Sequence, residues 1–178
     1  LKPVLIEEFF VKKLTLIRHA KSSWNHPDLS DFERPLNKRG LGDLPGLTER
    51  LKQTVPPPDL LIFSGAQRTL ETSRPLAEAW QLDSARYLER REAYEASLNS
   101  LLMLLQEQPD HCEHLVLVGH NPGMTELLAF LTATSPRHYP TAAFAHLELM
   151  IDSWQGIKEG CGRLQIFDYP KLHSDANN

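Results

Sequence analysis

Three short apolar runs, each closing on polar or cationic residues, constrain the fold of this 178-residue chain most. They are Lys12–His19 (KKLTLIRH), Asp59–Arg68 (DLLIFSGAQR) and His114–Gly123 (HLVLVGHNPG). Continuous apolar runs of this kind, bounded by turn residues, suit strands buried on both faces. The first strand is placed at Lys12–Ile17. Helical patterns separate the runs. Leu41–Gln53 reads as a helix weakened by Gly42, Pro45 and Gly46. Ala66–Trp80 reads as a second, with Pro75 as a kink. Leu98–Glu107 is a leucine-rich third, with Leu101, Leu102, Leu104 and Leu105 facing the core. Pro122–Leu131 is a fourth, with Asn121 as N-cap and Pro122 at the first helical position. Strands alternating with helices predict an α/β three-layer sandwich: a mostly parallel central sheet with helices on both faces. The C-terminal part differs. Ala142–Asp152 alternates, and Arg163–Tyr169 is a second strand candidate joined to it by the Gly-containing segment 153–162. One or two antiparallel strands at the sheet edge are expected there.

The length suits a single domain, 1–178, with residues 1–10 as a flexible extension. Net charge is −4, so a general polyanion binder is excluded and no nucleic-acid partner is expected. No apolar run approaches a membrane span, and Leu1–Phe10 lacks the marks of a signal peptide. Two cysteines, Cys112 and Cys161, make no disulfide framework, and a cytoplasmic location is the simplest expectation. HCEH, His111–His114, has metal-like residue types. No second Cys/His pair follows at a structural-site distance, so it reads as an exposed connector.

In open α/β sheets, ligands bind beyond the carboxyl ends of the strands. All three polar endings fall there, so Arg18, His19, Arg68 and His120 are expected to converge. Two cationic groups side by side at a strand end repel unless an anion lies between them. His120 precedes a helix start, and Arg68 lies in a first helical turn, where backbone N–H groups favour negative charge. Arginines grip phosphate in a bidentate manner. A neutral imidazole in such a pocket is a competent nucleophile toward phosphorus, and nearby arginines lower its pKa. Glu92, with Glu95 behind it, is the candidate proton donor to the leaving group. Lys38–Arg39 reads as the charged approach to a helix that can also steer an anion.

These residues resemble a known family. LIRHAKSSWN is similar to the RHG motif region of the histidine phosphatase superfamily, with Ala20 in place of the usual glycine. SGAQRTLET resembles the second motif, and LVLVGHNPGMTELL the third, in the family's order. The short length, the RHAKSSW form and RPLNKRG (Arg34–Gly40) make the chain most similar to the small SixA-like branch of phosphohistidine phosphatases. The resemblance implies a phosphoglycerate-mutase-like fold and His19 as nucleophile, forming a phosphohistidine intermediate that water hydrolyses. It implies Arg18, Arg68 and His120 as the phosphate pocket, assisted by Asn25 and Ser64, and neither a metal nor another cofactor. The expected substrate is a phosphohistidine on a protein, the partner of a monomer or weak dimer. The alternatives are a small phosphorylated metabolite as substrate, or a phosphate-binding module without turnover.

Overall fold

The computed structural model describes residues 11–177. The expected extension at 1–10 lies outside the described residues. Six strands form one sheet: β1 (Lys12–Arg18), β2 (Leu60–Phe63), β3 (Tyr87–Glu89), β4 (His114–Gly119), β5 (Phe144–Leu149) and β6 (Gly162–Asp168). Their order is β3-β2-β4-β1-β5-β6. β3, β2, β4 and β1 pair in parallel, and β5 pairs antiparallel with both β1 and β6. Only β5 is therefore reversed, in keeping with the expected change of pattern near the C-terminus.

Four helices cover the sheet: α1 (Lys38–Thr54), α2 (Gln67–Ala79), α3 (Leu98–Gln106) and α4 (Gly123–Thr132). Strand alternation divides the interior in two. Leu14, Leu16, Leu115, Leu117 and Leu147 join the leucines of α3 and α4 on one face. Ile17, Val116, Val118, Leu61 and Phe144 join Leu47, Leu51 and Leu76 of α1 and α2 on the other. β2 and β4 are buried along their whole length, which is why they read as unbroken apolar runs. Each fully buried Leu or Val stabilises by about 1.5–3 kcal/mol. The sandwich with helices on both faces is the predicted one, and no helix among the described residues is long and apolar enough to cross a membrane.

Several local readings change. α1 starts three residues early, because the Asn37 side chain accepts from Gly40 N at 2.8 Å and caps it. Lys38 and Arg39 therefore sit in the first turn of this helix rather than before it. α4 starts at Gly123, so Pro122 occupies the N-cap position and Asn121 lies one residue further out. Asn121 Oδ1 still accepts from Thr125 N at 3.2 Å, reaching the same free N–H group from a longer lever. α2 is continuous through Pro75. HCEH is not an exposed connector: Cys112 and His114 are buried, and His114 opens β4 with its Nε2 2.9 Å from Thr15 Oγ1. Thr15 Oγ1 also meets His146 Nδ1 at 2.8 Å, so the strand register turns a polar pair inward.

The start of α1 is clamped onto the segment after β1. Asn37 N donates to Lys21 O at 2.9 Å, and Ser22 bridges to Leu36. A Cβ on Gly40 would lie 2.2 Å from Lys21 O, so only glycine permits this approach.

Candidate active site

The sheet brings the candidate residues to one edge. Arg18 ends β1 in register with Gly119, the end of β4, and His19 N donates to Gly119 O at 3.1 Å. His19 and His120 therefore leave adjacent strands side by side, with ring centroids 5.2 Å apart and planes inclined at 56°. Ser64 follows β2, and Arg68 is the second residue of α2. Four of the expected residues, Arg18, His19, Arg68 and His120, gather here, with Ser64 beneath them.

His19 is nearly buried. Its Nδ1 lies 2.7 Å from Ala20 O, a partner that can only accept, so Nδ1 carries the proton and Nε2 keeps its lone pair. Burial lowers its pKa to about 4; the Ala20 hydrogen bond opposes this, and Arg68, Arg18 and Arg34 add to the lowering. His120 Nε2 lies 2.7 Å from Ser64 Oγ, which is itself 2.9 Å from Thr69 Oγ1. Burial, followed by His19 and Arg68, lowers the His120 pKa to about 3. Arg18 Nη1 donates to Tyr139 O at 2.7 Å, and burial lowers the pKa of its guanidinium. Three buried nitrogens here, Arg18 Nε, Arg68 Nε and His120 Nδ1, have no partner within the described residues. Buried polar groups are seldom left so, and together they describe a place for an anion.

Sequence reasoning missed a second layer. Arg68 Nη1 donates to Asp31 O at 2.6 Å and Nη2 to Asp31 Oδ2 at 2.9 Å. The same carboxylate accepts from Tyr94 Oη at 2.5 Å and from Arg34 Nε at 3.0 Å. Partial burial raises the Asp31 pKa, but the Tyr94, Arg68 and Arg34 hydrogen bonds outweigh it and hold the carboxyl well below its usual range. Arg34 is buried and also ties Ser22 Oγ and Ser23 O, both at 3.1 Å. The Tyr94 ring stands edge-on to His120, with centroids 5.4 Å apart. The readable signal was the Asp31–Arg34 spacing, which a three-residue helical turn converts into an ion pair.

Two candidates are not brought into this cluster. Glu92 lies in a three-residue turn, Arg91–Ala93, with its carboxylate exposed and 3.3 Å from Arg90. Its own backbone N–H and then Arg90 hold its pKa below the ordinary value, which favours the ionised carboxylate. The turn presents Tyr94 to the site instead. Asn25 is exposed, and its backbone N donates to Ser23 Oγ at 3.2 Å. Among the described residues no group of three or more His, Cys, Asp or Glu side chains is arranged to hold a metal ion.

A buried imidazole with a free lone pair, set beside two guanidinium groups and a second imidazole that each keep an unpartnered nitrogen, can attack an electrophilic phosphorus while its oxygens are held. Comparison with known proteins follows the same line. The family model for the histidine phosphatase superfamily (branch 1) matches residues 14–96, which include His19, Ser64 and Arg68. Rv1276c of Mycobacterium tuberculosis, described as uncharacterized, is 29% identical over 166 residues, covering 87% of this chain and all of that protein. A chloroplastic Arabidopsis thaliana protein, At3g52155, is 28% identical over 156 residues, covering 81% of this chain and 69% of its own. Among solved structures, a SixA protein from Agrobacterium tumefaciens is 27% identical with a TM-score of 0.74, over 89% of this chain and 98% of that one. The protein histidine phosphatase SixA complexed with tungstate is 19% identical with a TM-score of 0.73, over 87% and 95% of the two chains.

Proposed function

We propose that this chain, a member of the histidine phosphatase superfamily, is a metal-independent phosphatase that works through a phosphohistidine on His19. The observation that carries this reading is the conjunction of the free His19 Nε2 lone pair with the partnerless nitrogens of Arg18, Arg68 and His120. The Nε2 lone pair forms a bond to phosphorus as the bond to the leaving group breaks. The leaving group departs with that electron pair and takes up a proton from solvent water. Arg18, Arg68 and His120 hold the equatorial oxygens, whose charge grows in the transition state. Water then attacks phosphorus, and the N–P bond breaks to return neutral His19 and inorganic phosphate.

A phosphohistidine on a protein is the favoured substrate. An imidazole leaving group needs less acid assistance than an alkoxide, and the two nearest candidate carboxyls are engaged as carboxylates: exposed Glu92 pairs with Arg90, and Asp31 is held ionised by Tyr94, Arg68 and Arg34. The similarity to the SixA proteins points the same way. Ser64 acts as a positioning residue for His120. The test is phosphate release from a phosphorylated histidine-phosphotransfer domain and from an aryl phosphate, with and without chelator, by wild type and His19→Ala. Chelator-insensitive release that the substitution abolishes is expected. Folded wild-type protein that releases phosphate from neither substrate would refute the reading.

A further inference from the structure

Beside the proposed phosphate pocket lies an open cleft of about 680 Å³, and its charge is one-sided. Arg18, Lys21, Arg39, Arg137 and Lys171 line it, and no carboxylate does. None of the five takes part in an ion pair among the described residues. Arg137 instead rests over the Phe167 ring, 5.0 Å from its centroid. The chain as a whole carries a net charge of −4, so this concentration runs against its average.

Arg18 and Arg137 contribute individual contacts, to Tyr139 O and the Phe167 ring, but the concentration of like charge itself works against the fold. Lys38 and Arg39 occupy the first turn of α1, where the helix dipole disfavours cations; that turn holds no acidic residue, and Asp43 one turn on acts on Arg39 without forming an ion pair. Five like charges in one cleft repel. Yet the fold holds the cleft firmly, since the Gly40 contact with Lys21 fixes the start of α1 against the segment after β1. Such a feature fits an anion that arrives from outside, and because Arg18 belongs to both sites, it arrives with the scissile phosphate.

The kind of anion can be narrowed. Lys21, Arg39, Arg137 and Lys171 are all exposed and come from four separate segments, so they form a broad rim rather than a buried, converging cage. Large apolar side chains lie exposed on the same segments: Trp24 three residues beyond Lys21, Leu41 beyond Arg39, and Leu172 beside Lys171. Arg34 stacks on Trp24, 3.6 Å from the ring centroid, and holds its side. Within the cleft itself Phe167 and Tyr169 lie among the basic residues, and arginine beside aromatic groups is characteristic of a protein-binding face, whereas a small polyanion is enclosed by a few convergent donors.

We propose that this cationic rim docks an acidic surface flanking the phosphohistidine of a substrate protein, so that carboxylates of the partner complete the charge balance of the cleft. The inference rests on the phosphatase reading and adds to it the class of surface that the enzyme selects.

The test uses phosphohistidine peptides of one length, flanked either by Asp and Glu or by Ser and Gly. Wild type is compared with the double variant Arg39→Glu, Lys171→Glu, whose folding is checked by circular dichroism. At low salt, wild type is expected to favour the acidic peptide by about tenfold in kcat/KM, in line with electrostatic steering. Near 0.5 M salt, where the Debye length is only several ångströms, the preference shrinks toward one (roughly). In the double variant the ratio falls to one or inverts. A wild-type ratio near one, or a tenfold ratio that survives in the variant, overturns the inference. So does a rim-dependent preference seen for small bisphosphates but not for the peptides, which would assign the cleft to a small polyanion. An aryl phosphate assay on wild type separates the two levels. Turnover of aryl phosphate and of both peptides without preference sinks the docking surface alone, and no turnover of any substrate sinks the phosphatase reading itself.

Discussion

Replacing Ser64 with alanine tests whether the second layer of the site sets the rate. Ser64 is fully buried, and its hydroxyl lies 2.7 Å from His120 Nε2 and 2.9 Å from Thr69 Oγ1. Thr69 has a second partner in Ala66 O at 2.8 Å and loses little. His120 has none: its Nδ1 is already without a partner among the described residues, so the substitution leaves both ring nitrogens unsatisfied. An orphaned buried polar group costs about 1–3 kcal/mol, and the cavity left by one oxygen adds little. In a chain of this size that corresponds to a loss of about 2–4 °C in melting temperature per kcal/mol. The effect on turnover is separate. An imidazole freed from its orienting partner samples other tautomers and ring angles; by analogy with the orienting partners of metal-bound histidines, whose loss costs about 10–100-fold, a similar factor is expected here. We expect kcat on an aryl phosphate to fall by that factor while the protein remains folded at assay temperature. Urea denaturation would give the stability term, and steady-state kinetics would divide the loss between kcat and KM. If kcat held its wild-type value while stability dropped, Ser64 would be a packing residue and the positioning argument would fail.

Two further outcomes follow from burial and close approach. Burial lowers the pKa values of His114 and His146 in the folded protein, to about 4 for His114; Lys13 adds to the lowering of both, against Asp59 for His114 and Glu148 for His146. Their neutral forms are the ones that fold, so stability should be level above the unfolded histidine value near 6.5 and fall as pH drops from there toward 4. Each such histidine contributes up to about 1.4 kcal/mol per pH unit in that window, His19 and His120 adding theirs; urea melts across pH 4–8 that show no acid-side slope would contradict this. In α1, Gly40→Ala drives a Cβ into the Lys21 carbonyl and should destabilise by about 1–3 kcal/mol, whereas Gly42→Ala, with nothing within 4 Å, should stabilise by up to about 1 kcal/mol. Equal melting temperatures for the two variants would refute the clamp between α1 and the segment after β1.

The elements that were legible in the sequence are those whose pattern is local. Buried strands such as β4 write themselves as unbroken apolar runs, and because the sheet is parallel their polar endings must share an edge. That topology is enough to bring Arg18, His19, Arg68 and His120 together. Only the Arg34 partner of Asp31 was within reach of local spacing; Arg68 and Tyr94, which tie it to the site, lie 37 and 63 residues away. Glu92 is turned away from the histidine pair by a single turn. Its carboxylate follows Arg90 outward, and the residue two positions on, a phenol rather than a carboxyl, reaches the site. His114 misled for the opposite reason. Its neighbours His111 and Glu113 are exposed, so the segment looks polar, while strand alternation sends this one imidazole inward to Thr15.

The placement of the two site histidines on neighbouring central strands has a consequence for redesign. Their spacing derives from the register of β1 with β4, in which Arg18 faces Gly119, and not from any loop. The segments that surround them, around Trp24–Leu36 and Arg137–Thr141, end on this frame without setting it. Those segments can therefore be re-dressed without respacing the two histidines, so long as Asp31, Arg34 and Tyr139, which anchor Arg68 and Arg18, stay in place.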